Sequence, residues 1–163
     1  MIFIGIGANL PSSFGSPRAT CEAALAALIE AGIEVVGRSR WYESAPVPVS
    51  DQPWYINGVI TVKTQQPPAA FLQGLHAIEA RFGRVRRLRN EARVLDLDLL
   101  AYHDVVNPGP DSPILPHPRL RERAFVLLPL AELDAQWRHP VTGEAILDLI
   151  ARLDPGHETR PLA

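Results

Sequence analysis

The order of strand-like and helix-like stretches predicts an α+β fold: a ferredoxin-like βαββαβ core, an antiparallel sheet with helices, and a C-terminal helical appendage. Three observations lead there. Short apolar, β-branched runs alternate with two stretches of helical periodicity between Ile2 and Tyr102. Proline and glycine punctuate the joins. Beyond Tyr102 the sequence turns proline-rich and then helical. With 163 residues the chain suffices for one domain with a real core, so residues 1–163 are read as a single domain.

Each element has its own signal. Ile2 to Ala8 is the first strand, with glycines at 5 and 7, and Asn9 to Ser13 is a loop. Ser16-Pro17 starts a helix as N-cap and first helical residue. Ala24, Leu25, Leu28 and Ile29 repeat at helical spacing until Gly32 stops them. Ile33 to Glu43 is β-rich and reads as the second strand. Ser44 to Pro53 holds three prolines in ten residues and forms a long loop, the kind that often carries function. Trp54 to Thr64 is the third strand, with Val59, Ile60 and Val62 near its centre. Pro67-Pro68 opens a second helix with the stripe Phe71, Leu72, Leu75 and Ile78, which ends at Gly83. An arginine-rich loop leads into the fourth strand, which runs to about Tyr102. The appendage comprises Pro113 to Pro118, a helix from about Arg121 to Leu133, a turn from Trp137 to Gly143 and a last helix from Ala145 to Leu153. The tail after Asp154 is polar and reads as loose.

Composition narrows the function classes. Hydrophobic residues make up 47 % and charged residues 21 %, as in ordinary globular proteins. A net charge of −2 argues against non-specific binding to nucleic acid or anionic membrane. Basic charge is local, since nine of the 16 basic residues fall between Arg81 and Arg123. A lone cysteine, Cys21, excludes an internal disulfide and fits a reducing compartment. The apolar start, Met1 to Ile6, lacks a basic flank and is too short to span a membrane. The expected location is cytoplasmic.

The stretch from Gly83 to Leu100 concentrates the chemistry. Arg81, Arg84, Arg86, Arg87, Arg89 and Arg93 precede Asp96 and Asp98, which interrupt the apolar run Val94 to Leu100. On a strand Leu95, Leu97 and Leu99 share one face and the two carboxylates share the other, with Cα atoms about 6.5–7 Å apart. Carboxylates in a core strand need a cation or strong donors. A pair of them suits Mg²⁺, which takes a few carboxylates plus phosphate oxygens. Guanidinium groups clamp phosphates bidentately. Together they suggest a nucleoside triphosphate site. The plainer alternative is that Asp96 and Asp98 form salt bridges with these arginines on an exposed sheet face.

Three segments carry a family resemblance. They are Asp51-Gln52-Pro53-Trp54-Tyr55-Ile56-Asn57; Gly83-Arg84 with Arg93-Val94-Leu95-Asp96-Leu97-Asp98-Leu99-Leu100; and Leu115-Pro116-His117-Pro118-Arg119-Leu120 with Arg123-Ala124-Phe125. In this order and spacing the chain resembles 6-hydroxymethyl-7,8-dihydropterin pyrophosphokinase, a folate-pathway enzyme family. The resemblance runs from Gly5 to Leu133.

The resemblance implies transfer of the terminal pyrophosphate of ATP to the hydroxymethyl group of a reduced pterin, leaving AMP. It implies that Asp96 and Asp98 hold two Mg²⁺ ions, a role ranked above proton acceptance by either carboxylate. Arg84 and Arg93 match arginines on the triphosphate and join the two Asp as the catalytic set. Glu79, Arg86, Leu99, His117 and Arg123 match the nucleotide side. Tyr55 and Phe125 match stacking aromatics for the pterin, Asn57 its amide-type partner, and Ser44, Pro46 and Val47 the rest of that pocket. Family members are often monomers.

Two departures stand out. The family usually has Gly-Ser-Asn where this chain has Gly7-Ala8-Asn9, so a hydroxyl is missing. Asn9 is expected to bond the local backbone. Many members place an aromatic and Gly-Pro where Asn90-Glu91-Ala92 stand here, which removes an aromatic lid. Residues 84–92 are expected to be mobile alone and ordered with ATP and pterin. A competing class is a non-catalytic module binding nucleotide or RNA through the arginine loop. Aliphatic and acidic residues on the central strands, with negative overall charge, count against it.

Overall fold

In the computed structural model, which describes residues 1–46, 50–83 and 94–162, one antiparallel sheet lies between two helical layers. Its strands are β1 (Ile2–Ala8), β2 (Glu34–Arg38), β3 (Tyr42–Ser44), β4 (Tyr55–Lys63), β5 (Asp96–Tyr102) and β6 (Thr159–Pro161). The helices are α1 (Pro17–Glu30), α2 (Pro68–Arg81), α3 (Ala124–Leu133) and α4 (Ile146–Ala151), with a 3₁₀ turn at Leu120–Glu122. β1 sits between β5 and β4; β4 also pairs with β2 and β3, and β3 with β6.

Local chemistry sets the helix ends. Ser16 Oγ accepts from the Ala19 N–H at 3.2 Å, and Pro17 follows at the first helical position. Gly32 closes α1 with φ 89°, a left-handed conformation that costs glycine little. Gly83 does the same after α2 with φ 88°.

Strand alternation divides the core. Ile2, Ile4, Ile6 and Ala8 of β1 face α1 and α2, joined by Ile60, Leu97 and Leu99. Phe3, Val59 and Leu100 face the other way, against Val126, Leu127 and Leu130 of α3, Leu149 of α4 and Trp137. The two helices of the expected core, α1 and α2, share one face, and the appendage supplies a second layer on the other, because the alternate residues of β1 and β4 are apolar too. Trp41 and Trp137 are both core residues.

Three further boundaries differ from expectation. The stretch Ile33 to Glu43 breaks into β2 and β3. Ser39 Oγ accepts the Val59 N–H at 3.0 Å and donates to Arg40 O at 2.7 Å, where a regular strand would continue. The helix expected from Arg121 begins at Ala124, since Arg123 is extended with φ −110° and ψ 108°. The tail is not loose. It forms β6 on β3, and Leu162 packs on the core, which covers the edge groups that a terminal strand would otherwise expose.

Leu75 lies wholly buried between α2 and the sheet. Leu75→Ala is expected to cost about 2–5 kcal/mol of unfolding free energy, read as a lower urea midpoint with unchanged slope. An unchanged midpoint would contradict this packing.

Candidate active site

The β5 carboxylates share the sheet face of Val59 and Leu100. Asp96 and Asp98 are half-buried, while Leu97 and Leu99 between and beyond them are buried. The neighbouring strand puts no side chain of its own beside them. Gly7 lies opposite Asp96 and Gly5 opposite Asp98. On its other side Gly7 lies opposite Asn57. Directly opposed residues share a face, so Asn57, Gly7 and Asp96 form one row across three strands. With strands about 4.8 Å apart, the backbones of Asn57 and Asp96 stand about 10 Å apart. A Cβ on Gly7 would come within 2.9 Å of Asn57 Nδ2.

The amide is held in place. Ser44 Oγ donates to Asn57 Oδ1 at 2.5 Å, and both residues are buried. Asn57 Nδ2, on a residue only 7 % exposed, has no hydrogen-bond partner among the described residues. A buried amide N–H is costly to leave without an acceptor. Tyr55 lies opposite Ser44 and shares this face. Phe125, near the start of α3, is half-buried under the Arg123 guanidinium, 5.3 Å from its ring centroid. Pro46, two residues past Ser44, is buried.

Along β5 a cleft of about 240 Å³ opens between α2 and the proline-rich segment. It is lined by Leu72, His76, Leu97, Asp98, Leu99, Pro110, Ser112, Pro113, Ile114, His117 and Pro118. His117 N donates to Leu100 O at 2.8 Å, which pins the segment to β5. Its Nδ1 accepts from the Arg119 N–H at 3.2 Å, so in the neutral ring the proton sits on Nε2. Burial, and next the Arg123 charge, push its pKa down to about 4 against the pull of Asp96. The ring is therefore a neutral donor at physiological pH.

Of the expected site residues, Asp98, Leu99 and His117 meet in this cleft, with Asp96 next along the strand. Ser44, Tyr55 and Asn57 gather at the other end of the row. Glu79 is 1 % exposed and its Oε2 accepts from Leu97 N at 2.7 Å, so it steadies β5 from the α2 side and does not line the cleft. Arg84, Arg86, Arg93 and Val47 lie outside the described residues, as does the expected ordering of residues 84–92. Asn9 reaches further than local backbone: Nδ2 donates to Gln52 Oε1 at 3.1 Å and Pro53 O at 3.2 Å, tying the end of β1 to the loop before Tyr55. Ala8 sits wholly in the apolar core, where a serine hydroxyl would need a partner.

Sequence reasoning missed Leu72 and His76. Their signal was helical spacing, four residues apart and on the turns before Glu79. It also left Pro110, Ser112 and Ile114 without a role.

The carboxylates fit a hard cation that shares its ligands with a substrate. No cluster of three or more His, Cys, Asp or Glu side chains suited to a metal occurs among the described residues. A site built on Asp96 and Asp98 therefore leaves positions for phosphate oxygens and water, as Mg²⁺ prefers.

The family profile described as 7,8-dihydro-6-hydroxymethylpterin-pyrophosphokinase matches residues 3–135. This chain belongs to that family. It is 40 % identical over 152 residues to the 2-amino-4-hydroxy-6-hydroxymethyldihydropteridine pyrophosphokinase of Synechocystis sp., covering 93 % of this chain and 75 % of that one. It is 37 % identical over 154 residues to the enzyme of the same name from Methylorubrum extorquens, covering 94 % and 93 %. Its fold matches a crystal structure of an HPPK-DHPS in complex with substrates, with TM-score 0.66 and 14 % identity, over 92 % of this chain and 42 % of that one. That likeness supports an antiparallel α+β fold with helices.

The lowered His117 pKa has a stability consequence. As pH falls, the unfolded ring takes up a proton near its ordinary 6.5, but the folded ring does so only near 4. Protons then favour the unfolded chain, and this contribution is lost progressively through that window. Thermal melts of the ligand-free protein should show His117→Gln gaining on wild type as pH drops from about 7 to about 5. A constant gap between the two would contradict the neutral, buried ring.

Proposed function

We propose that this chain transfers pyrophosphate from ATP to 6-hydroxymethyl-7,8-dihydropterin, giving AMP and the pterin diphosphate in tetrahydrofolate biosynthesis. The observation that carries the reading is the row Asn57, Gly7, Asp96. It sets a fixed amide donor and a carboxylate pair on one open face, with a cleft continuing past Asp98.

The row supports the roles of the described residues, and the family resemblance supplies those of Val47, Arg84, Arg86 and Arg93. Asn57 Nδ2 meets an acceptor on the pterin edge, with Tyr55 and Phe125 on its faces and Ser44, Pro46 and Val47 around it. The nucleotide takes the cleft, where Leu99 supplies apolar surface and His117 donates from Nε2. Glu79 acts through the β5 backbone. Arg84, Arg86, Arg93 and Arg123 neutralise the triphosphate, with Arg84 and Arg93 at the transferring group. Asp96 and Asp98 hold Mg²⁺, two ions in this reading, which when bound supplies charge neutralisation on the phosphate oxygens and in-line alignment. Holding both substrates at the two ends of one rigid row supplies proximity without rearranging the sheet.

The core is of the ferredoxin-like kind, residues 1–163 act as one pyrophosphokinase domain, and the chain works as a cytoplasmic monomer. The face offers Asn57, Gly7, Asp96, Val59, Gly5 and Asp98 beside Tyr55, and its two carboxylates would repel an RNA phosphate backbone.

AMP release from ATP should require both the pterin and Mg²⁺. Asp96→Asn and Asp98→Asn should each lower kcat by at least about 100-fold, with thermal melts that stay cooperative. Variants that retained full turnover but lost stability would favour a purely structural carboxylate pair. Gly7→Ala should displace the Asn57 amide and raise the pterin KM by about tenfold or more. An unchanged pterin KM in that variant would remove Asn57 from the pterin edge.

A further inference from the structure

We infer that the C-terminal strand β6 is a working part of the pterin side of the site, with Arg160 as a positioning residue. The inference rests on the reading of Ser44, Tyr55 and Asn57 as the pterin-binding set.

β3 is only three residues long, yet it carries Ser44, whose hydroxyl holds the Asn57 amide. On one side it pairs with β4; on the other its partner is β6. Thr159 lies opposite Ser44, Arg160 opposite Glu43 and Pro161 opposite Tyr42. The ladder extends past both ends. Ala45 N donates to Glu158 O at 2.9 Å, and Leu162 N donates to Trp41 O at 2.9 Å. Leu162 packs against the core, so the strand is anchored at its far end.

Arg160 adds a second tie. Its Nε donates to Glu43 Oε1 at 2.5 Å, and its guanidinium lies 5.1 Å from the Trp54 ring centroid. Glu43 immediately precedes Ser44, and Trp54 immediately precedes Tyr55. One side chain thus ties the residue just before Ser44 to the residue just before Tyr55. Alternation turns Glu43 away from the Ser44 face, so the bridge works from behind and leaves the ligand face free. Fixing the backbone that carries Ser44 and Tyr55 reduces the ordering that binding must impose. The Arg160 side chain is 64 % exposed, so its weight in global stability is small.

The test compares the full chain with Arg160→Ala and Arg160→Lys. Arg152→Ala is the control, since Arg152 is 62 % exposed and pairs with Glu144, a residue outside this network. Steady-state kinetics with ATP and the dihydropterin are combined with calorimetry of 6-hydroxymethylpterin in the presence of Mg²⁺ and α,β-methylene-ATP. Arg160→Ala should raise the pterin KM and Kd by about three- to tenfold, with the ATP KM and the kcat at saturating pterin within about twofold of wild type. Arg160→Lys should fall between, because it keeps the charge but not the planar stack. Arg152→Ala should match wild type. An unchanged pterin KM in Arg160→Ala, or equal losses in the pterin and ATP constants, would overturn the inference. A wild-type chain that neither binds nor uses the pterin would remove the underlying reading, and the inference with it, before any variant is made.

Discussion

Gly7 carries no side chain between Asn57 and Asp96, and the arrangement of the site depends on that space. A Cβ there would stand 2.9 Å from the Asn57 amide nitrogen. The constraint acts on three strands at once, since β1 is the central partner of both β4 and β5. Backbone pairing therefore fixes the spacing between the amide and the carboxylate, and no flexible side chain sets it. The rest of the fold serves to keep β1 in this register.

The two helical layers have different tasks. α1 and α2 bury the isoleucine face of β1 and make the larger apolar cluster. Glu79 reaches from α2 to the β5 backbone, so the same helix that stabilises the strand also steadies the carboxylates. α3 covers the opposite face at Phe3, Val59 and Leu100. Its far end is held by Glu132, which accepts from Arg40 N at 3.0 Å and from the Tyr42 hydroxyl. Tyr42 lies opposite Asn57, so that contact ties the second layer to the amide's row.

Much of this was legible in the chain. The Ser16-Pro17 start, the glycine stops at 32 and 83, and the alternation around Asp96 and Asp98 are local signals, and the fold obeys them. What escaped was long-range. Gly5 and Gly7 announce a pair of small residues, but their purpose needs the register with residues some ninety positions away. The break after Arg38 depends on a Ser39 hydroxyl bonded to Val59, which propensity cannot see. β6 has three residues, one a proline, and only the open edge of β3 makes it a strand. Asn57 and Phe125 were found through resemblance, because an asparagine or phenylalanine on a core element carries no functional sign of its own.

The most direct measurement is a crystal structure with Mg²⁺, an unreactive ATP analogue and 6-hydroxymethylpterin bound together. The account predicts metal at Asp96 and Asp98, the triphosphate running from there into the cleft beside His117, and the pterin edge accepting from Asn57 Nδ2 with the Ser44 bond kept. A pterin bound away from the Asn57, Gly7, Asp96 row, or a triphosphate bound without the two carboxylates near its metal, would contradict it.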